Sequence, residues 1–517
     1  MILRLHLLLA TLLALSSASF ALEVDRIYGS NMVLQRDMEL PIRGKATPGA
    51  DVTFAFAGQT ATGKADETGR WTVLLQPLKA SSDNRSLKIT SSDKSVTLAN
   101  ILVGEVWVGS GQSNMAGKVA SYMKNDPTLA KIAEQEFPLI RLRSGKEWLP
   151  ATPAVSKGHS AILFAFGERL HRELGVPVGL FVGAVGGTPS GAWIPKETFD
   201  TSTRIKAEIA EFAKTHDQAA AMRAHQKKLA AWEKAAAKAK AEGKKPRGRR
   251  PGPPAKPGES TRGRATGGLF DNYIRYAVGL PMRGVLWDQG EARSGIQGLD
   301  QHTAMSELIR GWRELWGQGD FPFLFAQKPS GMGNAFSKEN PITREAEAFT
   351  ALPDISKVNS GEQRYLYVRL MQDNANSWMV PACDLGASIH PKNKWGYGNR
   401  AAEVAAQKVY KIAGIQAYGP IYLSHTAAGN TVTVSFSEAG SGLTVKHSDT
   451  IQGFAVAGKD GKWRWAKATL VASDTVRLSS AEVASPVHVR FAYAGNRTWA
   501  NLFNKEGLPA LAFTTAE

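Results

Sequence analysis

Four short segments of this chain carry residue types that together could perform acyl transfer. The run Val106-Trp107-Val108 leads into Gly109-Ser110-Gly111-Gln112-Ser113-Asn114-Met115, so Ser113 follows an apolar stretch and a glycine that permits a tight turn. A hydroxyl at the carboxyl end of a strand sits where a nucleophile meets a ligand, with the N–H groups of a following helix beside it. Taken alone, a serine after such a turn is more often a helix N-cap. Gly183 to Thr188 (GAVGGT) ends a second apolar run, and the paired Gly186 and Gly187 suit either a backbone aimed at an oxyanion or an ordinary loop. Trp287-Asp288-Gln289-Gly290-Glu291 ends a third, where the Gln289 amide is either another oxyanion donor or a polar loop residue. The fourth, Ser388-Ile389-His390-Pro391-Lys392-Asn393-Lys394, supplies an imidazole, the usual general base for a serine hydroxyl at neutral pH. Pro391 restricts His390 to extended backbone. With ten histidines in the chain, one histidine alone says little; four segments in this order on four strand ends say more.

The elements that must position these residues follow from hydrophobic rhythm. Residues 22–97 alternate in short β segments, with turn signals such as Pro48-Gly49 and Thr68-Gly69, and predict a small antiparallel sandwich. From 98 to 416 strands alternate with helices. Val103–Val108, Val178–Val182, Gly284–Trp287, Phe323–Ala326 and Met379–Ala382 read as strands, and the stretches holding Ile162, Leu163 and Phe166, or Met305, Leu308 and Trp312, as helices. This predicts an α/β domain with a mostly parallel sheet covered on both faces, whose ligands bind outside the carboxyl ends of the strands. A segment over 201–268 interrupts it, Ala/Lys/Glu-rich and helix-prone to about 242, then Pro/Gly/Arg-rich and expected to be a flexible loop. Residues 417–517 return to β alternation, with Asp460-Gly461 as a hairpin turn, and predict a second sandwich-like module.

The motifs resemble those of the sialate O-acetylesterase family of SGNH hydrolases, from about Val24 to Phe513. The family's G-Q-S-N-M segment stands here as Gly111–Met115, its G-G-T as Gly186–Thr188, its W-x-Q-G-E as Trp287–Glu291 and its H-P-x-N-K as His390–Lys394. The resemblance implies a three-layer, flavodoxin-like SGNH domain flanked by β modules, and a carbohydrate O-acetylesterase. Ser113 is then the nucleophile, His390 the base, and Ser113, Gly186 or Gly187, and Gln289 the oxyanion donors. One departure is informative. Family members place an Asp two residues before the histidine; here that residue is Ser388. Asp384 is a candidate replacement, and a Ser–His dyad completed by Ser388 or a backbone carbonyl is the alternative; Asp288 and Glu291 are further candidates. If the missing carboxylate marks decayed chemistry, the protein is instead a non-catalytic glycan-binding protein.

Composition narrows the partners. The chain has 517 residues, 43% hydrophobic and 21% charged, as expected of a globular protein large enough for several domains. Arg4, an apolar run and Ser19-Phe20-Ala21 predict a cleaved secretory signal over 1–21, hence a secreted or periplasmic protein with no membrane anchor in its mature form. The lone Cys383 excludes an intrachain disulfide and reads as an inert small hydrophobe. Of the net charge of +17, the segment 201–268 contributes +11, from 17 Lys/Arg against 6 Asp/Glu. It lacks interleaved aromatics for base stacking, which argues against nucleic acid. An acetylated sugar or polysaccharide is the expected substrate. No cofactor is expected, and no His/Cys/Asp spacing suggests a metal site.

Overall fold

The computed structural model describes residues 21–92 and 94–516, so the signal expected over 1–21 lies almost wholly outside the described residues. An 18-residue strand, β1 (Lys94–Gly111), organises the molecule. Its first half alternates between exposed and half-buried residues and pairs antiparallel with Ser81–Ser91, while its second half is continuously buried. That change of pattern is the change from a sheet with one wet face to a sheet covered on both. Residue 97 therefore lies within a strand shared by the N-terminal sheet and the central one.

Beyond β1 come α1 (Ser113–Ala116), β2 (Phe137–Ser144), β3 (Glu147–Ala151), α2 (Ala161–Leu174) and β4 (Val178–Ala184). The helices α3 (Thr203–Thr215) and α4 (Gln218–Ala241) follow, then β5 (Gly284–Asp288), α5 (Gln301–Trp316), β6 (Phe323–Ala326), α6 (Gly361–Asp373), β7 (Ser377–Val380) and α7 (Lys394–Val404). The strand order is β3-β2-β4-β1-β5-β6-β7. The pairings from β2 to β7 are parallel, and β3 is antiparallel to β2. Because β1 carries its N-terminal partners along, the sheet has eleven strands and is mixed, rather than the mostly parallel sheet expected. Val33–Gln35, expected in an antiparallel sandwich, pairs parallel with β1.

Register shows how the helices are distributed. Gly109 pairs with Leu286 and Ser110 with Trp287, so these two pairs face opposite sides. A Cβ on Gly109 would meet Leu163 of α2 at 2.7 Å, whereas Trp287 packs edge-on against Trp312 of α5. Thus α2 and α5 cover opposite faces. α7 lies on α2 through Gly398, where a Cβ would come 2.5 Å from the Ile162 carbonyl oxygen. Within the buried half of β1 the carboxylate of fully buried Glu105 accepts from Arg36 (2.5 Å), Arg283 (2.7 Å) and Tyr410 (3.0 Å). A buried charge needs such pairing, and this one ties three distant segments to β1.

The N-terminal and central parts share one hydrophobic core, and the C-terminal strands have a second, containing Val434, Phe454, Val489 and Phe491. That region holds two four-stranded sheets, Ile421–Ala428 being paired antiparallel with Thr431–Ser437. In the basic segment, α3 buries Ile205 but α4 buries no residue. The Pro/Gly/Arg stretch comes back to the body at Gly258 and Thr261, whose N–H groups donate to Gln297 and Gly295 (2.8 Å each).

Candidate active site

The carboxyl ends of β1, β4 and β5 converge on Gly111. Its carbonyl accepts from Val185 N–H (3.0 Å), and Gln112 N–H donates to the Asp288 carbonyl (2.7 Å). Gly111 has φ +124°, and a Cβ there would stand 2.2 Å from the Asp288 oxygen, so both conformation and space require glycine. This turn delivers Ser113 as the first residue of α1, half-buried, with its Oγ 2.7 Å from His390 Nε2. The serine and histidine, 277 residues apart in sequence, therefore meet in hydrogen-bonding geometry.

Gly186 lies against the serine, since a Cβ on it would be 3.6 Å from Ser113 Cβ; Gly187 takes φ +70° in open space. The N–H groups of Ser113, Gly186 and Gly187 donate to no protein acceptor among the described residues. Gln289 is placed differently from expectation. It is fully buried, its Nε2 donating to the carbonyls of Thr188 (3.1 Å) and Arg293 (3.4 Å) and its Oε1 accepting from Ser190 Oγ. Its amide fastens the Gly-Gly-Thr loop to the loop after β5 instead of pointing at the serine.

Asp384 is not brought to His390 either. Its carboxylate is fully buried and both oxygens accept from Arg400 of α7 (3.1 Å each). Ser388 is exposed, and its Oγ accepts the His390 backbone N–H (3.1 Å), so it shapes the loop rather than the ring. Among the described residues nothing hydrogen-bonds His390 Nδ1. Asp288 accepts from Lys328 Nζ (3.0 Å) and Tyr397 Oη (2.5 Å); Glu291 pairs with Lys328 (3.1 Å) and accepts the Gln112 amide.

Two residues quoted in the motifs acquire roles that spacing did not reveal. Asn114 Nδ2 donates to the Ile389 carbonyl (2.9 Å), and Asn114 Oδ1 accepts from Lys394 Nζ. The residue after Ser113 thus clasps the residue before His390, and the lysine at the start of α7 holds the clasp. Lys394 is fully buried, its ammonium 4.5 Å from the centre of the Tyr122 ring, and burial brings its pKa down to about 7. Burial also works against the charge of Lys328, but Asp288 and Glu291 outweigh it and raise its pKa. For His390 burial is the largest effect and the Lys394 charge the next, together holding the imidazole below its ordinary 6.5 against the opposing pull of Glu291 and Asp288. The ring is therefore neutral at pH 7, as a base must be. Cys383, buried beyond β7, has its thiol pKa raised by desolvation and stands apart from the serine. Among the described residues no cluster of His, Cys, Asp and Glu is disposed to hold a metal ion, and no helix is long and apolar enough to cross a membrane.

Known proteins resemble this chain over most of its length. The family model described as carbohydrate esterase, sialic acid-specific acetylesterase, matches residues 103–239, which include Ser113 and Gly186. The sialate O-acetylesterase of Homo sapiens is 23% identical over 447 residues, covering 78% of this chain and 74% of that protein. That of Mus musculus is 25% identical over 436 residues, covering 75% and 74%. The crystal structure of a carbohydrate acetylesterase from Xanthomonas citri superposes with a TM-score of 0.72 at 23% identity, covering 96% of this chain and 99% of that one, and so shares its fold. At the level of family, the chain matches the sialate O-acetylesterases among the SGNH-type carbohydrate esterases.

Proposed function

We propose that the protein is an exported serine esterase that removes O-acetyl groups from glycans, acetylated sialic acid or another acetylated sugar, with a three-layer SGNH domain as its catalytic part. The observation that carries this reading is the 2.7 Å approach of Ser113 Oγ to His390 Nε2 at the strand ends. His390 takes the hydroxyl proton as Ser113 attacks the ester carbonyl, and the tetrahedral oxyanion is met by N–H groups of Ser113 and of Gly186 or Gly187. The imidazolium then protonates the departing sugar oxygen, which leaves as a free hydroxyl. In the second half His390 deprotonates a water that releases acetate and restores Ser113.

With Asp384 committed to Arg400, the site works as a Ser–His dyad. The charge that an acidic partner supplies in a triad is absent at Nδ1, which predicts a modest turnover. The same absence favours the competing reading, a glycan-binding protein with decayed chemistry. Acetate release from p-nitrophenyl acetate separates them. The esterase reading expects turnover by the wild type and loss of at least about 10³-fold in Ser113→Ala, whereas equal rates for the two would sink it.

A further inference from the structure

Beside the serine lies a cavity of about 760 Å³ that acetyl transfer does not use, within the range of small-ligand sites. It borders the chemistry on two sides. Ile389, which lines it, immediately precedes His390, and Glu291, which also lines it, accepts the amide of Gln112 next to Ser113. Its outer wall comes from three distant parts of the chain: Arg204 of α3 in the basic segment, Arg369 of α6, and Tyr493 of the C-terminal region. Tyr365 and Tyr493 meet edge-on with ring centres 6.0 Å apart, an apolar surface on which a sugar ring can rest.

The wall is unevenly charged. The guanidinium groups of Arg293 and Arg369 are exposed and make no hydrogen bond or ion pair with the described residues, while Arg204 donates to His302 Nδ1 (3.1 Å). Arg293 takes φ +54°, rare for a residue with a side chain, and is held there by its N–H on the Gly290 carbonyl (2.9 Å) and by Ser190 N–H on its own carbonyl (3.0 Å). Its side chain lines the cavity. Two of the cavity's carboxylates are occupied: Glu291 holds Gln112 and Lys328, and Asp300 caps α5 through Thr303 N–H (2.9 Å). Glu362 is the third. An N–H bond leaves Asp300 its charge, so three arginines face two carboxylates, Asp300 and Glu362, that form no ion pair with the described residues.

We propose that this cavity is a subsite for a carboxylate-bearing sugar adjoining the acetylated one, so that the substrate is an acetylated acidic polysaccharide of uronate type. A guanidinium binds a carboxylate through two parallel hydrogen bonds and has no comparable partner on a neutral sugar. The proposal rests on the esterase reading and adds a second residue of the glycan to it. The basic segment supplies Arg204 and accounts for +11 of the chain's net charge of +17, which continues the attraction beyond the cavity.

Acetate release measured on acetylated oligogalacturonide, acetylated xylo-oligosaccharide and O-acetylated sialic acid monomer, with p-nitrophenyl acetate as the reference for active enzyme, tests this. The wild type should prefer the oligogalacturonide. In Arg293→Met and, separately, Arg369→Met, the ratio of kcat/KM on oligogalacturonide to that on xylo-oligosaccharide should fall about 10- to 100-fold, mostly through KM. Neither side chain has a hydrogen-bond or ion-pair partner among the described residues, and two independent variants guard against a folding defect in one. An unchanged ratio in both variants overturns the subsite, as does a wild-type preference for the neutral oligosaccharide. A preference for the sialic acid monomer overturns it too, because the carboxylate then belongs to the acetylated sugar itself. Wild type inactive on every ester, p-nitrophenyl acetate included, refutes the esterase reading instead.

Discussion

His390 has Nε2 on Ser113 and, among the described residues, no partner on Nδ1, so its basicity is set by burial and by surrounding charge. Because the folded imidazole lies below 6.5, the neutral form dominates above that pH and kcat/KM should lose activity only as pH falls through a value under 6.5. Placing a carboxylate beside the ring favours its protonated form. Ser388→Asp should therefore move the acid limb to higher pH and raise the plateau rate, by about tenfold; exposure of this position keeps the gain far below the 10⁴ that separates Asp from Asn in a buried triad. A lower plateau with an unmoved limb contradicts the dyad. Asp384→Asn makes the complementary test. It strips a buried arginine of its partner and should cost about 3–5 kcal/mol of stability in denaturant titration, while the folded enzyme keeps its pH profile. Loss of activity without loss of stability would return Asp384 to the catalytic machinery. Ser113 and His390 were legible from sequence because each sits in a short motif at a strand end. Asp384 was ambiguous because the direction of a side chain beyond β7 depends on Arg400, sixteen residues away on α7. Gln289 was ambiguous for the same reason, its partner Thr188 lying 101 residues away on the Gly-Gly-Thr loop.

Between α1 and α7 the site is held by the clasp from Lys394 through Asn114 to the Ile389 carbonyl. Lys394→Met removes the hydrogen bond to Asn114 and a positive charge that depresses the His390 pKa. The acid limb should then shift to higher pH, and kcat should fall about 10-fold as the histidine loop loosens, since small misplacements of a base are costly. Lys394→Arg, which keeps the charge, should leave the limb near its original pH. A limb that stays put in Lys394→Met contradicts the coupling. Sequence rhythm located the central strands and helices well. It missed that β1 is one strand through both sheets, because its half-wet first part alternates like a sandwich strand and its buried second part does not. The mixed character of the sheet follows from that continuity. Asn114 and Lys394 were visible as letters of their motifs, but their mutual contact spans 280 residues and no periodicity reports it.

At the scale of the whole molecule, the N-terminal sheet and the central domain share a core, whereas the outer part of the basic segment shares none. α4 buries no residue, while α3 anchors through Ile205. Excising residues 218–256 with a short linker should therefore leave the thermal midpoint within about 2 °C, because long surface loops contribute little to closure entropy. The same variant should show a higher KM on an acidic glycan at low salt, converging with wild type at high salt as screening removes the attraction. A large drop in midpoint would show that the arm is structural. Labelling with a serine-directed alkyl phosphonate followed by peptide mass spectrometry tests the assignment of Ser113 as the residue that carries the acetyl group. One adduct is expected, on the peptide containing Ser113, formed slowly in His390→Ala and not at all in Ser113→Ala. An adduct on any other residue, or one that survives Ser113→Ala, would contradict it.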